Sequence, residues 1–236
     1  MSLPLPPTDP LRDAKLKALG EFAAGAGHEI NNPVATISGY VQQLMRDETD
    51  PDRIQMLLTI GAQAHRIRDM IGDAMLFARP PQPRPQPQNL RQVAEEVVAK
   101  FEEEAKSRGC TVEISPGEEL PILADPTQVR VLLSALVRNA LEASQANGRI
   151  VLEGGQFVDG RGAFARLTIA DDGRGLSPDE LEHLFDPFYS GRQAGRGLGF
   201  GLPKAWRIAT LHHADLKVAS PEGRGALFTL IWPLET

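Results

Sequence analysis

Between Arg79 and Asn89 the chain reads RPPQPRPQPQN, with five prolines among eleven residues. Proline has no backbone donor and a fixed φ, so this stretch neither continues a helix nor joins a central strand; it is expected to be an extended connector. It cuts the 236-residue chain into residues 11–79, which carry no β signal, a linker over 80–89, and residues 90–236, where helical and strand patterns alternate. Apolar residues make up 42% and charged residues 24%, a globular balance. A net charge of −6 offers no broad basic field to a nucleic acid. No apolar run approaches the roughly 20 residues that span a bilayer, so no membrane segment is expected in this chain. The opening MSLPLPPTDP lacks the basic start and apolar stretch of a signal peptide. Cys110, the one cysteine, excludes an intrachain disulfide framework and fits a reducing compartment; its simplest role is a small apolar residue at a strand start.

The N-terminal segment reads as two helices. Leu16, Leu19, Ala23, Ala26, Ile30, Ile37, Val41 and Leu44 follow a 3-4 spacing broken only near Pro33. Leu57, Ile60, Ala64, Ile67, Ile71, Ala74 and Ala78 keep that spacing without a break, and DETDPD over 47–52 supplies a turn and an N-cap. This describes a helical hairpin whose apolar seam is larger than one partner helix covers. Either two hairpins from two chains close a dimeric four-helix bundle, making the protein a homodimer, or the seam packs on the C-terminal segment of a monomer.

The C-terminal segment predicts a helix over 90–108, short strands over 110–115 and 121–124, and a helix begun by Asp125-Pro126 and running to about Ser144. Strands over 150–158 and 163–170 pair around Asp159-Gly160. A glycine-rich stretch, a helix over 201–213 and strands over 216–219 and 226–232 complete a mixed sheet with helices on one face. The expected fold class is therefore α followed by α/β: a helical hairpin, then an α/β sandwich.

Several residues carry chemistry. With Leu16 and Leu19 at heptad positions a and d, His28 falls at f, furthest from the seam. Glu29 follows it, Asn32 lies one turn on, and Pro33 should loosen the helix beyond. A neutral imidazole attacks phosphorus once a neighbouring carboxylate accepts its proton. Far downstream, Gly195, Gly197, Gly199 and Gly201 alternate in GRGLGFGL just before a helix, which suits close backbone approach to phosphate. This is neither a P-loop nor a dinucleotide fingerprint. Asp171-Asp172-Gly173-Arg174-Gly175 ends a strand, where a carboxylate can accept from an exocyclic amine. Leu184 to Tyr189 puts three aromatics beside Pro187, and Asn139 sits on a helix where an amide oxygen can hold Mg²⁺. The remaining histidines have no partners at metal-ligand spacing, so no zinc site is expected.

GHEINNPV resembles the H-box of sensor histidine kinases. The Asn139 helix, DDGRG, the aromatic-proline stretch and GRGLGFGL resemble, in that order, the N, G1, F and G2 boxes of the same family's ATP-binding domain. The resemblance runs from about Leu11 to the C-terminus. It implies that His28 is the phospho-acceptor, Glu29 its general base, and Asn32 a residue that orients water or phosphoryl, which also equips the chain to act as a phosphatase. It implies that Asn139 ligates Mg²⁺, that Asp171 reads the adenine amine, and that Gly173 and Gly175 shape the adenine pocket. Gly195, Gly197, Leu198, Gly199 and Gly201 then cradle the phosphates of ATP, Phe185 and Phe188 anchor the segment closing over the nucleotide, and Arg192 stands near the terminal phosphate. The implied partner is a response-regulator receiver domain, and the implied location is the cytoplasm, as a whole protein or as the cytoplasmic portion of a longer one. One departure is Ala135, where the family usually has a second asparagine; Arg138 and Glu142 are candidates to compensate. Two other classes share parts of this pattern: an ATP-driven conformational machine, which needs no His28-Glu29, and a non-catalytic scaffold, which only Ala135 favours.

Overall fold

The computed structural model describes residues 10–187, 189, 199–221 and 223–234, and the side chains of 10–24, 26, 28 and 78 lie outside that description. The chain divides into two compact units, one spanning Thr8–Pro81 and the other containing Gln82–Thr236.

The first unit is a hairpin of α1 (Pro10–Met45) and α2 (Pro51–Ala78). Asp50 caps α2 by accepting from the Asp52 N–H at 2.9 Å, with Pro51 in the first turn where no donor is missed. The sequence predicts a single helix loosened near Pro33, and α1 is helical on both sides of it. A proline deletes one backbone bond, and the packing of α1 along α2 holds the turns around it. The contact face takes part of the expected seam and adds residues outside it. Gly27, Val34 and Ala64 are buried. A Cβ on Gly27 would meet Met75 Sδ at 2.6 Å, and one on Gly61 would meet Val41 Cγ1 at 3.3 Å. Small residues therefore let the two helices approach closely. The larger members of the predicted seam, Ile37, Leu44, Ile60 and Ile67, remain 43%, 61%, 47% and 40% exposed, and Tyr40 and Met56 join them.

The second unit is a five-stranded mixed sheet covered on one face by helices, with a small two-stranded ribbon beside it. The ribbon pairs β1 (Gln86–Asn89) with β3 (Pro121–Ala124). Four residues expected in the connector thus form a strand. The Leu90 N–H bonds the Leu120 carbonyl at 2.9 Å, which makes that pair a bonded one. Alternation leaves Asn89 opposite Pro121, and Pro87 opposite Leu123, as non-bonded pairs, so no missing donor is called upon.

The main sheet has the order β2 (Thr111–Ile114), β4 (Arg149–Asp159), β5 (Gly162–Asp171), β7 (Leu227–Pro233) and β6 (Asp215–Ala219). β2 and β4 are parallel and the other pairs antiparallel. Alternate residues Ile150, Leu152, Ala165, Leu167, Ile169, Phe228 and Leu230 point into the core. Against them lie α3 (Leu90–Ser107), α4 (Pro126–Ala143) and α6 (Gly201–Leu211), each with an apolar stripe at helical spacing. The short α5 (Pro178–His183) precedes the aromatic-proline stretch.

Asp125 joins three parts of this unit. Its Oδ1 accepts from the Thr127 and Gln128 N–H groups at 2.9 and 3.1 Å, capping α4. Its Oδ2 accepts from the Arg84 N–H at 2.9 Å, fastening the end of the proline stretch. Its own N–H donates to Nε2 of buried His212 at 3.1 Å, and the other ring nitrogen of His212 bonds the Ile208 carbonyl. His212 is a satisfied core residue whose ring lies tilted against Trp232, with centroids 5.1 Å apart. Replacing Asp125 by Ala should lower the stability of this unit by about 1–2 kcal/mol, and by Asn less, since an amide oxygen still caps α4 and only the bond from the Arg84 N–H is lost. Urea denaturation followed by fluorescence checks this, because Trp206 and Trp232 both lie in this unit; equal losses in the two variants would contradict it.

Candidate functional site

Strand β5 lies inside the sheet and ends at Asp171, which is 6% exposed. The Asp171 N–H donates to the Ala226 carbonyl at 3.0 Å, and Asp171 Oδ1 accepts from the N–H groups of Gly173 at 3.0 Å and Ala226 at 3.3 Å. The carboxylate is thus aimed by backbone on both sides. The turn beyond it runs against α4 and against residues 220–226. A Cβ on Gly173 would sit 2.6 Å from the Ala143 carbonyl in the last turn of α4. Gly175 has φ +74°, and a Cβ there would meet the Pro221 carbonyl at 2.7 Å. Both glycines are required by backbone passing backbone.

Asn139 stands one turn before Ala143 on α4, half-buried, so the structure brings its helix end and the Asp171 turn together. Ala135, one turn earlier, packs against the core. Arg138 does not replace the polar group absent there. Its guanidinium lies 5.5 Å from the centroid of the Phe101 ring on α3, a cation–π contact that draws it to a neighbouring helix.

The segment after the turn is tied back to it. Ser177 and Glu180 form a capping box at the start of α5. Glu180 also accepts from Arg174, with Nη1 to Oε2 at 2.9 Å and a second bond between Nη2 and Oε1. The paired Arg174 guanidinium outweighs burial and holds the Glu180 carboxyl at a pKa of about 2. Further along, His183 bonds Asp186 at 2.9 Å, which raises the imidazole above its ordinary value. The Tyr189 hydroxyl donates to Asp179 at 2.9 Å, and Phe185 packs against the core.

Gly199 has φ +69°, and a Cβ there would lie 2.2 Å from the Tyr189 carbonyl, so backbone ten residues apart is in contact. Gly201 opens α6 with open space where a Cβ would stand, and Phe200, the cap residue, makes no side-chain cap bond. A helix N-terminus without a side-chain acceptor, entered by glycines, suits an anion. The residues present fit a nucleotide: a buried acceptor at Asp171, backbone-lined turns at Gly173 and Gly175, and an amide at Asn139 for a divalent ion. Phe188, Arg192, Gly195, Gly197 and Leu198 lie outside the described residues. In the first unit, Glu29 and Asn32 are exposed on α1; the side chain of His28 is outside the description.

The sequence reading missed residues 220–226. Ser220, 9% exposed, accepts from the Leu176 N–H at 2.8 Å and donates to the Gly225 carbonyl at 2.7 Å. The Gly223 N–H donates to the Arg174 carbonyl at 3.0 Å. Gly225 has φ +75° and leaves no room for a Cβ, which would fall 1.9 Å from the Asp171 carbonyl. The available signal was a Gly-Arg-Gly at 223–225, the same tripeptide as at 173–175, although it also stands at 160–162 and 195–197.

Comparison with known proteins fits these two units. Residues 18–83 match the profile of the His Kinase A (phospho-acceptor) domain. Residues 124–236 match that of the histidine kinase-, DNA gyrase B-, and HSP90-like ATPase. The chain belongs to the histidine kinase family. The signal transduction histidine-protein kinase AtoS of Escherichia coli (strain K12) is 33% identical over 93% of this chain and 36% of its own length. Full-length ShkA, solved in complex with AMPPNP, shares the fold with a TM-score of 0.78 at 23% identity, over 92% of this chain and 46% of that one. Histidine kinase ThkA, solved in complex with response regulator protein TrrA, gives a TM-score of 0.66 at 23% identity, over 95% of this chain and 64% of that one. The chain spans about a third of the length of AtoS and under half of ShkA. Among the described residues no helix is long and apolar enough to cross a membrane.

The Arg174–Glu180 pair gives the site a pH signature. Lowering the Glu180 pKa from 4.5 to about 2 bounds its contribution at about 3 kcal/mol, which the half-exposed Arg174 partner reduces to about 1–2. A carboxylate whose pKa is depressed on folding stabilises the protein above pH 4.5 and loses that contribution as pH falls from 4.5 towards 2. The stability gap between the wild type and Glu180→Gln should therefore be full at neutral pH and close below pH 4.5. A gap independent of pH in denaturant titrations would contradict it.

Proposed function

We propose that this chain moves the γ-phosphoryl group of ATP onto its own His28 and from there onto an aspartate of a response-regulator receiver domain. The observation that carries this reading is the joining, on one chain, of the His28-Glu29 helix to a unit whose Asp171 turn, Asn139 helix and α6 N-terminus fit a nucleotide.

Asp171 would accept from the adenine amine, and Asn139 would hold Mg²⁺ through its amide oxygen, a cation that would supply charge neutralisation during the transfer. By the family resemblance Gly195, Gly197, Leu198, Gly199 and Gly201 serve the phosphates, Arg192 serves the terminal one, and Phe188 anchors the segment that closes over the nucleotide. A ring nitrogen of His28 forms the P–N bond as the β–γ bridging P–O bond breaks. ADP leaves with that electron pair, and Glu29 takes the proton from the other ring nitrogen. In the second step the receiver carboxylate forms an O–P bond, the P–N bond breaks, and the proton returns to the imidazole. Asn32 orients the phosphoryl group in that exchange. Positioning and charge neutralisation supply most of the acceleration. The reaction takes place on the cytoplasmic side, where ATP and reduced Cys110 belong.

The exposed stripe of Ile37, Tyr40, Leu44, Met56, Ile60 and Ile67 supports a homodimer in which two hairpins share it. Ile37→Glu together with Ile67→Glu should convert the dimer to a monomer in analytical ultracentrifugation while leaving helicity unchanged. A dimer that persists would remove this assignment.

Incubation with Mg²⁺ and ATP radiolabelled at the γ-phosphate tests the reaction. Acid-labile, alkali-stable label on the wild type, absent from His28→Gln, is expected. A wild type that binds ATP without labelling would overturn the reading in favour of an ATPase or scaffold, and label surviving in His28→Gln would overturn the choice of acceptor.

A further inference from the structure

Two separate sets of contacts hold the Asp171 turn. On one side the backbone of 171–176 bonds to residues 220–226, through Ala226, Gly223 and Ser220. On the other, Arg174 reaches α5. Its guanidinium meets both carboxylate oxygens of Glu180, and Glu180 Oε2 also accepts from the Ser177 N–H at 2.9 Å. The Glu180 side chain is 11% exposed, although Arg174 is 55% exposed. A buried carboxylate that receives a bidentate guanidinium and a backbone donor has one orientation, so α5 takes its place from Arg174.

α5 in turn positions Tyr189. Asp179 on α5 holds the Tyr189 hydroxyl, the His183 and Tyr189 rings lie 5.3 Å apart, and the Tyr189 N–H bonds the Asp186 carbonyl at 3.3 Å. The Tyr189 backbone abuts Gly199, two residues before α6 begins. A continuous line of contacts therefore runs from the Asp171 turn through Arg174, Glu180, α5 and Tyr189 to Gly199.

We infer that Arg174 and Glu180 are positioning residues: they fix the distance between the carboxylate that reads the adenine and the backbone at Tyr189 and Gly199, which leads into the α6 N-terminus. The inference rests on the nucleotide reading above. Their side chains are engaged with each other. Asp171 keeps its own bonds to Gly173 and Ala226 when the pair is broken, so adenine binding survives while the phosphates are misplaced relative to it.

Arg174→Gln removes the charge at a half-exposed position and leaves the capping box intact. It should weaken Mg-ATP binding by no more than about threefold and slow labelling at saturating ATP by about tenfold. Arg174→Lys, which keeps the charge but loses the bidentate geometry, should recover to within about threefold of the wild type. Glu180→Gln should behave as Arg174→Gln does. Breaking the pair is itself destabilising, so labelling is compared well below the melting temperature of each variant; a deficit that vanishes there would reduce the pair to a structural one, and an unchanged labelling rate would overturn the coupling outright. Amide hydrogen exchange with Mg-ADP separates this from failure of the kinase reading. In the wild type the nucleotide should slow exchange in peptides covering both 168–175 and 178–189. In Arg174→Gln only the first should respond. If both still respond, the inference fails even where labelling is absent from every variant.

Discussion

Strand β5 ends in a carboxylate that has been taken out of water, and the nucleotide-type unit is arranged around that fact. Burying a carboxylate without donors costs several kcal/mol, so its neighbours must bring N–H groups to it. Asp171 receives them from Gly173, one turn ahead, and Ala226, at the start of β7 fifty-five residues away. The second donor is available because β7 pairs with β5 in a register that places Leu227 beside Ala170. Sheet pairing and site construction are one event here. The crowding is a consequence: backbone reaches Asp171 closely enough that Gly225 and Gly173 have no space for a side chain.

Much of this organisation was legible in the sequence because it is local. Asp125-Pro126 announces a capped helix, and the structure begins α4 there. Asp159-Gly160 announces a hairpin turn, where the Arg161 N–H bonds the Asp159 carboxylate at 2.8 Å. The alternation of apolar residues in β4 and β5 gives the sheet faces directly. The order of the Asn139, Asp171 and glycine motifs pointed to nucleotide chemistry before any geometry was available.

The features that stayed hidden depend on residues far apart. Whether Pro87 can enter a strand depends on whether its position in the pairing needs a donor, and that is decided by Pro121 and Leu120 more than thirty residues later. The proline count alone argues for a connector; register admits a strand. Ser220 and Gly225 were missed for the same reason. The Gly-Arg-Gly beside them recurs elsewhere in the chain and marks nothing by itself; their importance comes from lying against Leu176 and Asp171. Arg138 is a third case. Adjacent in sequence to Asn139, it looked able to assist there, but a helix turns successive side chains about 100° apart, and Phe101 holds it on another side.

The hairpin shows how one helix can carry three faces with different tasks. Gly27, Val34 and Val41, seven apart, make the close approach to α2, where small residues and one buried valine suffice. Ile37, Tyr40 and Leu44 are too large for that contact and stand on a second face, exposed. Treating both sets as one seam, as a heptad count invites, merges surfaces that point in different directions. Glu29, Asn32 and Thr36 form a third stripe at 3-4 spacing, polar and open to water, with Asn32 four residues after His28. A proline on such a helix costs one bond and removes none of these contacts. The helix can therefore pass through Pro33 while keeping the polar stripe that follows His28 clear of the face packed on α2 and of the exposed apolar face.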